Sequence, residues 1–274
     1  MRPALLVQDL RVSLRGRALI DGVSFALDPG QRLALLGASG SGKSLTAAAL
    51  LGQLPAAMSA SGRLQINGMD VPLSSTGTKR DGIAAIHQDP MSALNPLVRL
   101  GKQLEIPLRR AGLSASMARQ RALELISSVG IAEAERTLES FSGELSGGQL
   151  QRVCIAFALA CRSAVLVADE PTTALDMVSQ AKVLDALSLY STSADSTAAD
   201  STAADSTAAG VLVITHDLAV AAAFCHRALV LVSGRLVEEG SMESLVERPS
   251  HRYTKQLVEA AHLGFDSLPR EATV

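Results

Sequence analysis

The stretch Gly37-Ala38-Ser39-Gly40-Ser41-Gly42-Lys43-Ser44 follows the pattern G-x-x-x-x-G-K-[ST] at every fixed position. An apolar run predicts a buried strand before it, and an Ala- and Leu-rich run predicts a helix after it. Glycines allow successive backbone N–H groups to point at phosphate oxygens, and the helix N-terminus adds positive charge. In such loops the lysine reaches the β- and γ-phosphates, and the last hydroxyl ligates Mg²⁺. We therefore expect Mg²⁺ at Ser44 and a nucleoside triphosphate at Gly37, Ser39, Gly40, Ser41, Gly42, Lys43, Ser44 and Leu45.

Composition and charge argue against a nucleic-acid-binding protein and against a membrane-spanning one. The chain has 274 residues, of which 47% are apolar and only 3% aromatic, and its net charge is −2. Such a chain offers neither a basic surface nor many stacking platforms, so we expect no nucleic-acid partner. No uncharged apolar run is long enough to cross a membrane, and the cysteines lack C-x-x-C spacing. We expect a cytosolic chain in which Cys154, Cys161 and Cys225 are small buried apolar residues.

The spacing of apolar residues predicts an α/β fold. Short runs near the N-terminus predict antiparallel strands at 5–7, 11–14 and 23–27. Apolar runs predict further strands at 83–86, 164–168, 211–215 and 229–232, the last three in a sheet covered on both faces. Helical periodicity dominates from 92 to 162, where Ser146 is the expected N-cap of a long helix. Ser179 is the expected N-cap of the following helix.

These patterns suggest one domain with an insertion. The expected divisions of the domain 1–274 are a core of 1–91 and 163–240, a helical subdomain of 92–162, a low-complexity loop of 191–209 and a tail of 241–274. Within the loop, Asp-Ser-Thr-Ala-Ala occurs three times in tandem from residue 195. The repeat lacks large apolar residues and precedes a strand, whereas ligands bind at the carboxyl ends of parallel strands. We expect a mobile surface loop, away from the nucleotide and without a catalytic part.

Four polar residues follow predicted strands and are candidates for chemistry. Asp169 ends an apolar strand and is expected to hold Mg²⁺, while the adjacent Glu170 is expected to polarise the attacking water as general base. His216 ends the next strand, where an imidazole can contact the γ-phosphate and orient the water. Gln88 ends another strand and can sense Mg²⁺ or the water. Chance acids in a turn, a structural histidine and an uninvolved glutamine are the alternatives.

A second anion cradle lies in the helical insertion. Leu145-Ser146-Gly147-Gly148-Gln149 places a serine hydroxyl and glycine N–H groups at a predicted helix N-terminus. One nucleotide does not need two cradles, and this one is not on the sheet edge. We therefore expect Ser146, Gly147, Gly148 and Gln149 to bind the γ-phosphate of a nucleotide held by a second subunit.

With these motifs in order, the chain resembles the ATP-binding subunit of an ABC transporter. In that family the matching segments are Walker A (37–44), the Q-loop (Gln88), the signature (145–149), Walker B (165–170), the D-loop (173–176, with Asp176) and the switch histidine (His216). The resemblance implies a P-loop NTPase core with an N-terminal antiparallel β subdomain and an inserted α-helical subdomain. It implies ATP and Mg²⁺ as ligands and ATP hydrolysis coupled to transport.

The same resemblance implies partners and a location. A second ATP-binding subunit, identical or different, would pair with this one. Two membrane permease subunits and a periplasmic or extracellular solute-binding protein would complete the transporter. The chain would lie on the cytoplasmic face of the inner membrane as a peripheral subunit.

Finer features bear on the cargo. Segments 88–96 and 249–254 resemble the dipeptide, oligopeptide and nickel importer group, and 42–46 and 51–55 look most like its nickel-type members. The tail has no cysteine cluster after Tyr253. We expect import of nickel or a metal chelate, with a dipeptide or oligopeptide as the alternative. An ABC ATPase of DNA repair or translation, an exporter subunit, and a P-loop kinase or GTPase remain further alternatives.

The expected adenine contact departs from the family pattern. No aromatic residue precedes Phe25, although the family usually places one near the first hairpin. Arg15 or Arg17 can stack on adenine by a cation–π contact instead, or the base is held loosely.

Overall fold

The computed structural model describes residues 2–73, 80–173, 175–192 and 208–266. The strands are β1 (Leu5–Leu14), β2 (Arg17–Leu27), β3 (Arg32–Leu36), β4 (Met58–Ile66), β5 (Met69–Val71), β6 (Ile83–Ile86), β7 (Val165–Asp169), β8 (Gly210–Thr215), β9 (Arg227–Val232) and β10 (Arg235–Ser241). The helices are α1 (Lys43–Leu51), α2 (Leu100–Arg110), α3 (Ala115–Ser128), α4 (Ala134–Glu139), α5 (Gly147–Ala160), α6 (Met177–Thr192), α7 (Leu218–Phe224), α8 (Met242–Glu247) and α9 (Arg252–Asp266). Short 3₁₀ turns occupy Pro90–Ala93 and Ser142–Glu144.

A six-stranded sheet forms the core, in the order β10-β9-β3-β8-β7-β6. Neighbouring strands in this sheet pair in parallel, except for β9 and β10, which pair antiparallel. The inner strands β3, β7, β8 and β9 are mostly apolar because both faces of the sheet are covered there, whereas the edge strand β10 is polar and partly exposed. Leu33 and Leu35 of β3 face one side, and Ala34 and Leu36 face the other. Full burial of each leucine contributes roughly 1.5–3 kcal/mol.

A second, four-stranded antiparallel sheet is built mainly from the N-terminal residues, in the order β2-β1-β4-β5. Its inner face and helix α1 pack on one face of the core sheet. Helices α2 to α5 lie between β6 and β7 in the chain and pack in the other hydrophobic cluster. The predicted fold class, a P-loop core with an antiparallel β sheet and inserted helices, is therefore confirmed.

The N-terminal strands differ from the prediction. Segments 5–7 and 11–14 belong to one strand, β1, which is interrupted by a bulge where Asp9 has a left-handed φ of 47°. Gly62 lies opposite this bulge, and a Cβ there would sit 2.5 Å from the carbonyl oxygen of Asp9. The polar bulge residues break the alternation of apolar residues, which is why the sequence predicted two strands.

Three further predictions need correction or fall outside the described residues. Helix α6 is capped by Asp176, not Ser179, because Asp176 accepts hydrogen bonds from the N–H and the hydroxyl of Ser179. Cys161 is exposed, whereas Cys154 and Cys225 are buried as predicted. The predicted loop 191–209 begins inside α6, which extends to Thr192. Residues 193–207, which include most of the repeat 195–209, lie outside the described residues, so the predicted position and role of the repeat stay predictions.

A carboxylate of β10 fastens the start of the last helix, whose apolar residues also pack on the core. Glu238 of β10 accepts hydrogen bonds from the backbone N–H groups of Ser250 and His251, at 2.7 Å and 2.9 Å, just before α9 begins. Burial alone would raise the pKa of Glu238, but the hydrogen bonds it accepts outweigh burial and lower it. Segment 249–254 therefore has a structural role in docking α9. In the described part of the chain, none of the helices combines the length and apolar character needed to cross a membrane.

Candidate active site

Four strands of the core sheet end at one edge and bring the candidate residues together. The parallel register pairs Leu36 with Thr215, Asp169 with Ile214, and Ile86 with Ala168. Adjacent positions on this edge therefore carry the loop after β3, the acids at the end of β7, the histidine after β8 and Gln88 after β6. This convergence is the arrangement that the sequence predicted.

The glycine-rich loop 37–42 connects β3 to α1 and leaves no room for side chains at two positions. A Cβ on Gly37 would lie 2.4 Å from the carbonyl oxygen of Leu231. Gly42 has a φ of 106°, and a Cβ there would lie 2.4 Å from Cδ1 of Ile20. The Nζ of Lys43 donates hydrogen bonds to the loop carbonyls of Gly37 and Ala38, at 2.8 Å and 2.9 Å. Burial lowers the pKa of this ammonium group, although two nearby carboxylates oppose the shift.

Asp169 has the properties expected of a metal ligand. Its Oδ1 is buried and, within the described residues, has no hydrogen-bond partner. Burial raises the pKa of Asp169, while the hydroxyl of Ser44 and the charge of Lys43 act in the opposite direction. A buried carboxylate oxygen without a donor is costly, and a bound cation would relieve that cost. The pairing of Asp169 with Ser44 therefore fits a magnesium site that the nucleotide's phosphates would complete.

Glu170 is fixed through both its main chain and its side chain. Its φ is 49°, in the left-handed region, and its N–H donates to the carbonyl oxygen of Ile214. Its Oε1 lies 2.7 Å from Nδ1 of His216, and its Oε2 accepts a hydrogen bond of 2.8 Å from the hydroxyl of Thr173. Burial alone would raise the pKa of Glu170, but these two hydrogen bonds outweigh burial and lower it. The carboxylate therefore stays ionised at neutral pH and is held in one orientation.

His216 lies on the solvent side of this pair. Its side chain is 60% exposed, whereas that of Glu170 is only 14% exposed. The next residue, Asp217, caps α7 by accepting hydrogen bonds from the N–H groups of Ala219 and Val220. The cap fixes the start of α7 and so the place from which His216 projects.

The second predicted cradle lies at the surface, at the start of α5. Ser146 accepts a hydrogen bond from the N–H of Gln149, and the side chain of Gln149 accepts one from the N–H of Ser146, which forms a capping box. Ser146 and Gly147 are exposed, and a Cβ placed on Gly147 would have no heavy atom within 4 Å. This helix start is therefore open to a second molecule.

Comparisons with known proteins identify the family of this chain. A family model described as ABC transporter matches residues 20–173. The chain belongs to the ABC transporter family. It is similar to a solved ATP-binding subunit of an ABC transporter, with 25% identity, a TM-score of 0.73 and coverage of 96% of this chain and 100% of that chain. It is also similar to a dimeric ATP-binding cassette in a post-hydrolysis state bound to ADP and Pi, with 26% identity, a TM-score of 0.69 and coverage of 87% and 98%.

Three similar proteins are named as ATP-binding proteins of peptidoglycan, oligopeptide or dipeptide transport. The chain is 40% identical to the peptidoglycan transport ATP-binding protein YejF of Agrobacterium fabrum, covering 96% of this chain and 48% of that protein. It is 38% identical to the oligopeptide transport protein OppD of Bacillus subtilis (91% and 69% covered) and 36% identical to the dipeptide transport protein DppD of the same organism (94% and 76%). The chain thus spans about half the length of YejF. None of these three names refers to nickel, so they do not support the predicted nickel specificity.

The other residues that the ABC resemblance singled out differ in exposure and in hydrogen bonding. Gln88 is exposed at its strand end. Asp176 of the D-loop holds Ser179, and the hydrogen bond from the N–H of Ser179 is the largest cause of its lowered pKa. The neighbouring D-loop residue 174 lies outside the described residues. Arg15 and Arg17, proposed to stack on adenine, are both exposed at the first hairpin.

Contacts of the signature helix were missed from the sequence. The buried Gln151 donates hydrogen bonds to the carbonyl oxygens of Glu170 and Pro171, at 3.4 Å and 2.7 Å. Arg152 donates one of 2.6 Å to the hydroxyl of Ser179. The signal that could have found Gln151 is its position: it is a polar residue beside Leu150, on a helix that is otherwise mostly apolar.

Proposed function

We propose that this chain is the ATP-hydrolysing subunit of an ABC importer whose cargo is a dipeptide or oligopeptide. The observation that carries the hydrolytic part is the pair formed by Glu170 and His216, held at the same sheet edge as the loop of Lys43. A P-loop kinase or GTPase would have no use for the exposed cradle at Ser146, so the cradle favours an ABC ATPase. The names of the relatives support the peptide cargo.

Hydrolysis follows from the orientation of Glu170. The loop 37–44 binds the phosphates of ATP, and Lys43 neutralises charge on the β- and γ-phosphates. Glu170 accepts a proton from water as the water oxygen bonds to the γ-phosphorus, and the bond from that phosphorus to the β–γ bridging oxygen breaks, giving ADP and phosphate. His216 orients Glu170 and contacts the γ-phosphate. Asp169, Ser44 and Gln88 would hold Mg²⁺, which supplies charge neutralisation on the phosphates.

The contact between His216 and Glu170 predicts a change in pH dependence. In His216→Ala, Glu170 loses a hydrogen bond that lowers its pKa, so that pKa rises. Because hydrolysis needs the ionised carboxylate, the acidic limb of the kcat profile is expected to shift to higher pH, and kcat at neutral pH to fall at least about tenfold. Steady-state ATPase assays over a pH series measure both effects. Thr173→Val removes the other hydrogen bond and should shift the limb in the same direction, whereas an unshifted limb in both variants would contradict this assignment.

The exposed cradle calls for a second ATP-binding subunit. Ser146, Gly147, Gly148 and Gln149 would contact the γ-phosphate of ATP bound to the partner, while the partner's cradle contacts ATP bound here. Two subunits would therefore close on two ATP molecules, and hydrolysis would remove the contacts that favour closure. Asp176 of the D-loop, beside the exposed Met177 and Val178, would lie near this dimer interface.

A permease contact would lie on the segment 88–96 and the adjacent Leu97. Met91 and Leu97 expose 51% and 85% of their surface, and an exposed apolar pair is typical of a binding surface. The subunit would thus be peripheral, on the cytoplasmic face of the inner membrane, with two permease subunits and a solute-binding protein completing the importer.

This surface predicts a loss of transport on substitution. The double variant Met91→Glu, Leu97→Glu is expected to reduce co-purification with the permease and cellular uptake of a labelled dipeptide by at least about tenfold, because charges cannot be buried in an apolar contact. Met69→Glu is the matched control, since Met69 is 67% exposed on the other sheet. Parental uptake by the double variant would contradict the docking surface.

Uptake measurements also test the cargo. Cells that lack the protein are expected to lose uptake of a labelled dipeptide or oligopeptide, and the parental gene should restore it. Nickel uptake, measured in the same cells, is expected to stay at the parental level. Loss of nickel uptake with normal peptide uptake would favour the nickel-type alternative.

A further inference from the structure

We propose that Gln151, on the signature helix α5, is a positioning residue that holds the main chain of Glu170 for hydrolysis. The proposal rests on the proposed role of Glu170 as general base. Gln151 would not touch ATP or water. It would act by fixing the peptide groups that carry the catalytic carboxylate.

The contacts of Gln151 are made by its amide donor. Its side chain is buried, at 3% exposure, and its Nε2 donates to the carbonyl oxygens of Glu170 and Pro171. Its Oε1 is buried and has no hydrogen-bond partner within the described residues. A buried amide that uses only its donor is expensive to keep for stability alone. A role that depends on the donor accounts for its place on this helix.

Glu170 needs support of this kind because its backbone is in an unfavourable conformation. A non-glycine residue with a φ of 49° is held there only when its surroundings require it. The N–H of Glu170 donates to the carbonyl oxygen of Ile214 in β8. Its own carbonyl oxygen accepts from Gln151 of α5 at 3.4 Å and from the N–H of Thr173 at 3.5 Å, and Gln151 also donates to the next carbonyl, that of Pro171, at 2.7 Å. The sheet therefore binds the N–H of Glu170, while the signature helix binds the carbonyl groups that follow it.

The position of Gln151 also connects Glu170 to the cradle for the partner's ATP. Ser146, the N-cap of α5, and Gln151 lie five residues apart, which is about 7.5 Å along the helix axis. A movement of the helix start on contact with the partner's nucleotide would move the amide of Gln151 as well. A second link runs in parallel, since Arg152 binds Ser179, which Asp176 holds. The signature helix would thus couple the nucleotide bound by the partner to the position of the catalytic base in its own chain.

Two substitutions of Gln151 test the donor. Gln151→Leu keeps a similar volume without a donor, and we expect kcat for ATP to fall by about tenfold to a hundredfold with KM nearly unchanged. Gln151→Glu keeps the shape, and only its protonated carboxyl group can donate to the carbonyl of Pro171. The ratio of its kcat to the parental kcat is therefore expected to rise as the pH is lowered. Both are measured on the full-length protein by steady-state ATPase assays.

Tyr190→Phe provides the matched control. The hydroxyl of Tyr190 donates to the carbonyl oxygen of Ser163 at 3.0 Å, just before β7, so the substitution also removes one side-chain bond to a backbone carbonyl. It should leave kcat at the parental level. Parental kcat in Gln151→Leu, an equal loss of kcat in Tyr190→Phe, or a pH-independent ratio for Gln151→Glu with reduced kcat would overturn the proposal. A parental rate in Glu170→Gln would instead overturn the proposed role of Glu170, so the two failures are distinguishable.

Discussion

Glu170→Gln is expected to lower the rate of ATP hydrolysis by about a hundredfold to ten-thousandfold while ATP binding is retained. The carboxamide has nearly the shape of the carboxylate, and its oxygen can still accept a hydrogen bond from Thr173 or His216. It cannot accept a proton from the attacking water. The substitution therefore removes the proposed base without removing the groups that bind the phosphates.

The consequence for assembly is as informative as the rate. If ATP closes two subunits and hydrolysis reopens them, Glu170→Gln should accumulate as an ATP-bound dimer. Light scattering with and without ATP, beside a steady-state ATPase assay, measures the two effects on one sample. Glu243→Gln, an exposed carboxylate at the start of α8, is the matched control and should behave as the parent does. Turnover of Glu170→Gln at the parental rate would show that another group is the base.

Much of the sheet edge could be predicted because its signals are local. The loop 37–44 has fixed spacing, and the apolar strands that end at Asp169 and His216 show where parallel strands meet. The orientation of Glu170 could not be predicted, because a left-handed non-glycine residue leaves no pattern in the sequence. The cap of α6 was misplaced for a related reason: Asp176 and Ser179 are both good N-caps, and only the fold decides between them.

Contacts between distant segments were the least predictable. Gln151 and Pro171 are 20 residues apart, and their hydrogen bond depends on how the helical insertion packs on the sheet. Cys154 of the same helix donates from its Sγ to the carbonyl oxygen of Pro90, in the segment that would meet the permease. Burial raises the pKa of this thiol to about 12, so it stays protonated and able to donate. Helix α5 therefore contacts Glu170, Ser179 and Pro90, which lie in three separate segments, and no short motif encodes this combination.

Ser146→Arg is expected to separate ATP binding from hydrolysis. The substitution fills an exposed helix start with a long cation, so the partner's γ-phosphate loses the cradle; hydrolysis should fall by about a hundredfold to a thousandfold. ATP binding to the isolated chain should be unchanged, because the loop of Lys43 is intact. Lys43→Ala should instead lose binding itself. A fluorescent ATP analogue measures binding, and a steady-state assay measures turnover.

Ser114→Arg controls for the damage done to the helix. Ser114 caps α3 in the same helical region and is exposed, so replacing it also removes an N-cap, which costs about 1 kcal/mol of stability. If loss of the cap were the cause, both variants would lose turnover equally. If Ser146→Arg weakened ATP binding by the isolated chain as strongly as Lys43→Ala does, Ser146 would contact the nucleotide of its own chain. Only loss of turnover in Ser146→Arg, with binding intact and Ser114→Arg active, is consistent with an active site shared between two subunits.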